Sequence, residues 1–142
     1  MITAYVDASV VMRIILRQPN PLPEWPSLDL GVSSELLRIE CYRTVERIWR
    51  HQQLSDEEFE AKRADVTAML RNLELRVIDP PILARAAEPY PSYIATLDAI
   101  HLATALAYRR AQPHDERPIL FATHDKQLAK AAAALNFEVV GI

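Results

Sequence analysis

The apolar and polar positions of this chain fall into alternating short β-type runs and longer helical ones. Residues 2–9 form an apolar, β-prone run that ends in the carboxylate of Asp7 and turns into a helical pattern over 8–17, with Arg13 and Arg17 four apart on one face. Four prolines between positions 19 and 26 forbid helix and predict a loop. A short strand follows over 30–33, and the Ser33 and Ser34 hydroxyls can open a helix over 35–53, whose Leu37, Cys41, Val45, Ile48 and Trp49 recur at three- and four-residue steps. Ser55 followed by Asp56, Glu57 and Glu58 supplies a hydroxyl cap and negative charge for the second arm of a helical hairpin. Residues 75–78 alternate as a third strand stopped by Asp79, a turn residue before Pro80, and 82–87 make a short helix. A nearly charge-free helix over 96–107 has Thr96 as its cap. An apolar strand over 118–122 then leads to Asp125, a helix over 126–135 and a last strand over 137–140.

Strands alternating with helices predict an α/β fold with a parallel sheet. Half of the 142 residues are apolar, which suits one domain spanning 1–142 with a substantial core. The apolar runs are too short to span a bilayer and the start lacks the features of a signal peptide, so no membrane association and a cytoplasmic location are expected. The single cysteine, Cys41, can form no internal disulfide and reads as a small core residue; no Cys/His spacing suggests zinc. A net charge of -3 does not mark the whole chain as a nucleic-acid binder, and leaves room for a local basic rim.

Four acids stand where solvated acids are not usually placed. Asp7 and Asp125 each end an apolar strand and precede a helix, and in parallel α/β sheets ligands bind outside the C-terminal strand ends. Glu40 lies at the edge of an apolar helical stripe, where it must meet an arginine or a metal, or else pair at the surface with Arg43 or Arg47. Asp98 interrupts the charge-poor helix and is surplus to capping if Thr96 is the cap. Each has a plainer reading as a cap or a surface charge; Ser9 can cap or support a ligand, and His101 can pack or donate to a neighbouring acid. Brought into one pocket, the four carboxylates would need protonation or a cation, and oxygen ligands select magnesium or manganese. Such ions assist phosphodiester hydrolysis.

With these residues in view, the chain resembles the PIN-domain ribonucleases, most closely the VapC-like toxins of VapBC toxin-antitoxin pairs. The resemblance rests on Val6-Asp7-Ala8-Ser9, on Ser33-Ser34-Glu35-Leu36 leading to Glu40, on the run from Leu97 to Ala105 that contains Asp98, and on Thr123-His124-Asp125 with Leu128 and Ala129. It implies a PIN-like three-layer α/β/α fold with sheet order 3-2-1-4-5. It also implies that Asp7, Glu40, Asp98 and Asp125 form a catalytic metal site for Mg2+ or Mn2+, supported by Ser9 and Thr123. An RNA substrate, a homodimer and a small antitoxin that covers the site are implied as well. His124 stands at a variable position of the family, and the proline- and charge-rich stretch 109–117 before the last acid departs from the pattern.

Other readings compete. A HAD-type phosphatase needs a second Asp two residues after the first, where Ser9 stands, and a receiver domain needs an acidic pair and a mid-chain phosphoacceptor that are not visible. The alternative of another class is a PIN-like domain that binds RNA or protein without cutting; loss of an acid would signal it, and all four are present. Leu22, Trp25, Trp49 and Phe59 suggest an apolar contact surface, with an antitoxin groove between the first helix and the hairpin, unless Trp49 and Phe59 pack on each other.

Overall fold

The computed structural model describes residues 1–113 and 118–142, so His114 to Arg117 of the proline- and charge-rich stretch lie outside the described residues. Five strands, β1 (Thr3–Val6), β2 (Leu30–Ser34), β3 (Leu73–Arg76), β4 (Leu120–Ala122) and β5 (Glu138–Val140), form one all-parallel sheet in the order β3-β2-β1-β4-β5. This is the expected α/β architecture and strand order. The helices are α1 (Ala8–Ile15), α2 (Leu36–Arg50), α3 (Asp56–Arg71), α4 (Pro80–Ala87), α5 (Thr96–Ala111) and α6 (Lys126–Ala134). No described helix is long and apolar enough to cross a membrane.

Period-two alternation in the central strand divides the core into two layers. Ala4 and Val6 of β1 pack with Val10 and Val11 of α1, Leu37, Cys41 and Val45 of α2, and Val66 and Leu70 of α3. Tyr5 points to the other face, among Leu102 and Ala105 of α5, Leu128 and Ala132 of α6, and Phe121 of β4. Cys41 is fully buried, and burial, with Glu40 and Asp7 nearby, pushes its thiol up to about 12, so it is a core residue as expected.

Several local expectations shift. Helix α1 stops at Ile15 because Arg17 adopts φ 53, so Arg13 and Arg17 do not share a helix face. Strand β3 starts two residues earlier than its alternation suggests; Leu73 and Leu75 turn inward, while Val77 lies past the strand and exposed. Asp79 is more than a turn residue, since its Oδ1 accepts from the Ile82 amide at 3.0 Å and caps α4. Thr96 is not the cap of α5: Ala95 occupies that position without a side-chain hydrogen bond, and Thr96 is already helical. The Ser55 signal holds, with Ser55 and Glu58 forming a reciprocal capping box on α3.

The supposed apolar contact surface is largely turned inward. Leu22 is 2% exposed and Trp25 packs against the same core. Trp49 and Phe59 stack on each other with ring centroids 4.2 Å apart, joining α2 to α3. The hairpin needed these rings as internal packing, which is why they are absent from the open surface.

Candidate active site

The order of the sheet reverses between β1 and β4, and their register pairs Val6 with Ala122. Parallel strands in that register deliver Asp7 and Thr123 side by side at their C-terminal ends, where open α/β sheets form their ligand crevice. Asp7 is buried and fully engaged: Oδ1 accepts from Ser9 Oγ at 2.6 Å and from the Val10 amide at 3.2 Å, and Oδ2 accepts from Thr123 Oγ1 at 2.6 Å. It therefore caps α1 while also standing at the strand end, so the two readings of Asp7 describe one residue. Ser9 and Thr123 extend the network, accepting from the His124 amide at 2.9 Å and the Asp125 amide at 3.0 Å. Burial raises the Asp7 carboxyl above its ordinary value, against the lowering effect of the two hydroxyls.

The turn after β4 is held from the far side as well. His124 Nδ1 donates to the Gly141 carbonyl at 2.7 Å, and Gly141 has φ 102. A Cβ there would lie 2.5 Å from the Thr123 carbonyl oxygen, so only glycine fits both the backbone and the approach.

Among the described residues, Glu40 on α2 pairs with neither an arginine nor the expected surface partners. Its carboxylate is hydrogen-bonded to Nε2 of His101, a buried residue of α5, and His101 Nδ1 is 2.7 Å from the hydroxyl of the wholly buried Tyr5. Of the two expected surface partners, Arg43 pairs with Glu46 instead, and Arg47 makes no ion pair among the described residues. Nε2 donates to the carboxylate, and Nδ1 shares a hydrogen bond with the Tyr5 hydroxyl. Burial keeps Tyr5 well above the ordinary phenol range and hence protonated. A hydrogen-bonded string thus runs from Tyr5 through His101 to Glu40 and holds that carboxylate.

Asp98 lies in the first turn of α5 and is half-buried. No hydrogen bond or ion pair among the described residues reaches its carboxylate. Its pKa is raised to about 6, first by burial and then by the charges of Asp125, Asp7 and Glu40, with His101 acting in the opposite direction. Asp125 is exposed and caps α6, its Oδ1 accepting from the Gln127 and Leu128 amides at 2.9 and 3.0 Å. Asp7, Glu40 and Asp125 thus all act on Asp98, and Ser9 and Thr123 hold Asp7.

Their donor chemistry fits a hard divalent ion, because every available ligand atom is a carboxylate or hydroxyl oxygen and the charge on Asp98 is uncompensated. The side chains are not gathered around one point, however. Among the described residues no group of three or more His, Cys, Asp or Glu side chains stands ready to hold a metal ion. Asp7, Glu40 and Asp125 are turned to protein partners instead. Sequence reasoning left His101 open and passed over Tyr5. The available signal for His101 was its period, since it follows Asp98 by one helical turn; Tyr5 lies two residues before Asp7 along the same strand.

The family model of the PIN domain matches residues 4–134, and the chain belongs to the PIN family. PIN domains are typically nucleases and generally use divalent metals. A comparison with curated proteins finds no match.

Proposed function

We propose that this PIN domain is a Mg2+- or Mn2+-dependent endoribonuclease and the toxin of a VapBC-type toxin-antitoxin pair. The observation that carries the nuclease reading is the electrostatic state of Asp98: a half-buried carboxylate raised to about 6 by burial and three other acids is a site short of positive charge. Asp7, Glu40, Asp98 and Asp125 would hold the ion. When bound, such an ion stabilises charge on a phosphodiester undergoing hydrolysis and activates the attacking water. The chain's own contribution is positional. Ser9 and Thr123 fix both oxygens of Asp7, and the Tyr5–His101 string fixes Glu40. Asp98, without a protein donor among the described residues, is the carboxylate free to reorient.

The antitoxin part of the reading is supported by a groove of about 430 Å³ between α1 and α3, lined by Ile14, Ile15, Trp25 and Met69 among others. It lies between the first helix and the hairpin and would accept an apolar segment of a small partner. The homodimer belongs to the same reading and follows from the resemblance. A non-catalytic PIN-like RNA- or protein-binding domain is the second reading, favoured by the lack of a preassembled metal-holding group among the described residues. Incubation of purified protein with total RNA separates the two: cleavage with Mn2+ that stops in chelator supports the nuclease, and binding without cleavage in either condition supports the second reading.

A further inference from the structure

A groove of about 500 Å³ opens from the crevice at Ala8 and Glu40, follows the C-terminal half of α2 to His51, and has Leu97 of α5 on its other side. Arg43, Arg47 and Arg50 line it, and with Glu40 they recur at three- and four-residue steps, which puts all four along one side of the helix. At the helical rise the row extends roughly 15 Å from the acid.

The lining carries three arginines against two acids, Glu40 and Glu46. Glu46 pairs with Arg43 and lies 3.7 Å from Arg50, whereas Arg47 makes no ion pair among the described residues. Favourable interaction with the helix C-terminus accounts for Arg47 and Arg50 in the last turn, but not for Arg43, which stands three residues from Glu40. In a chain of net charge -3, three guanidiniums in single file beside an acidic crevice form a local footing for a polyanion. Leu97, 47% exposed, and Ala8 make part of the lining apolar, and an unpaired base can rest there.

We propose that this groove carries the sugar-phosphate backbone of single-stranded RNA away from the acidic crevice, with Arg47 as its principal phosphate contact and Arg43 next to it. The assignment rests on the nuclease reading of the crevice and deepens it by naming the track of the substrate.

The test is fluorescence anisotropy of a labelled single-stranded oligoribonucleotide of about twelve nucleotides, titrated in chelator at several salt concentrations. Removing one arginine–phosphate interaction lowers the slope of log affinity against log salt by about 0.7. The double variant Arg43→Gln/Arg47→Gln is expected to reduce the slope by roughly 1.4. Arg38→Gln, whose side chain pairs with Glu35 outside the groove, is expected to leave the slope unchanged. Unchanged melting temperatures for these exposed positions confirm that folding is not at issue. A double variant with wild-type slope, or an equal reduction in Arg38→Gln, overturns the assignment. Displacement of the RNA by a poly-glutamate peptide more readily than by unlabelled RNA also overturns it and gives the groove to an acidic protein segment. Because binding is read without metal, arginine-dependent binding in a protein that never cleaves supports the groove while defeating the nuclease reading; cleavage with an arginine-independent slope defeats the groove alone.

Discussion

The floor and the rim of the crevice hold their acids in opposite ways. On the floor, Asp7 has both oxygens occupied by hydroxyls and an amide, and Glu40 is tied through His101 to Tyr5. On the rim, Asp98 has no donor among the described residues and Asp125 is an exposed helix cap. Asp7 is buried, and a buried carboxylate without partners would cost several kcal/mol, so the protein had to satisfy it for the sheet to close around it. Water reaches the rim and relaxes that demand, so negative charge there can be left for a ligand to neutralise. The floor acids contribute to folding as well as to the proposed site, while Asp98 contributes chiefly to the proposed site.

Substituting one acid from each region should separate these roles most widely. Asp7→Asn and Asp98→Asn are each expected to lower the Mn2+-dependent rate on the order of 10²- to 10³-fold, the scale for removing one transition-state electrostatic interaction. Their stabilities should diverge. Asn at position 7 turns an amide toward either the Ser9 or the Thr123 hydroxyl, and an unsatisfied buried partner costs about 1–3 kcal/mol. Asn at position 98 removes a repelled charge, so its melting temperature at neutral pH should equal or exceed the wild type's. Asp125→Asn preserves a good cap and should reduce the rate least. Parallel losses of stability at positions 7 and 98 would erase the distinction between floor and rim.

Next in size is the string behind Glu40. His101→Ala removes the donor that fixes the carboxylate, and Tyr5→Phe removes the hydroxyl that fixes the imidazole. Loss of such an outer hydrogen-bond partner typically lowers metal affinity about 10- to 100-fold. Calorimetric titration with Mn2+ should show that weakening for His101→Ala and a smaller one for Tyr5→Phe. If both variants melt earlier but bind Mn2+ as tightly as the wild type, the string is packing alone.

Much of this contrast is legible in the chain itself, because burial imposes a periodicity on the residues around it. The strand runs before Asp7 and Asp125 marked them as strand-end acids, and the apolar stripe around Glu40 marked it as misplaced for a surface charge. The family matched over residues 4–134 agrees with the resemblance drawn from those same runs, and the sheet order follows it. Partnerships were the unreadable part. Nothing local distinguishes a Glu40 bonded to His101, sixty-one positions away, from one bonded to Arg43 on the next turn; only the packing of α2 beside α5 decides it. The start of α5 misled for a related reason. Thr96 has the composition of a cap, yet the chain entering from Ile94 and Ala95 begins the helix one residue earlier. Likewise the exposed look of Leu22 and Trp25 came from their proline-rich neighbours, which shape the loop but do not say which way its apolar side chains turn.

The smallest effect follows from the titration of Asp98. Its carboxyl is raised from 3.8 to about 6 in the folded chain, so between those values the folded state keeps a proton that the unfolded state has released. Stability then falls as pH rises through that window, because the unfolded state binds fewer protons there, and the loss is complete above about pH 6. The carboxylate is half exposed and solvent screening keeps the effect modest. Asp7 shifts in the same direction and other groups titrate nearby, so the informative quantity is the difference between wild type and Asp98→Asn. In chelator, that difference in melting temperature should grow in favour of the variant as pH rises from about 4 to about 6, then level off. Adding Mn2+ near neutral pH should shrink or reverse it, since the ion binds the ionised carboxylate that the variant lacks. Curves that stay parallel across the window, with and without Mn2+, would mean that the charge on Asp98 is not held under strain by its neighbours, and the rim would then differ from the floor only in exposure.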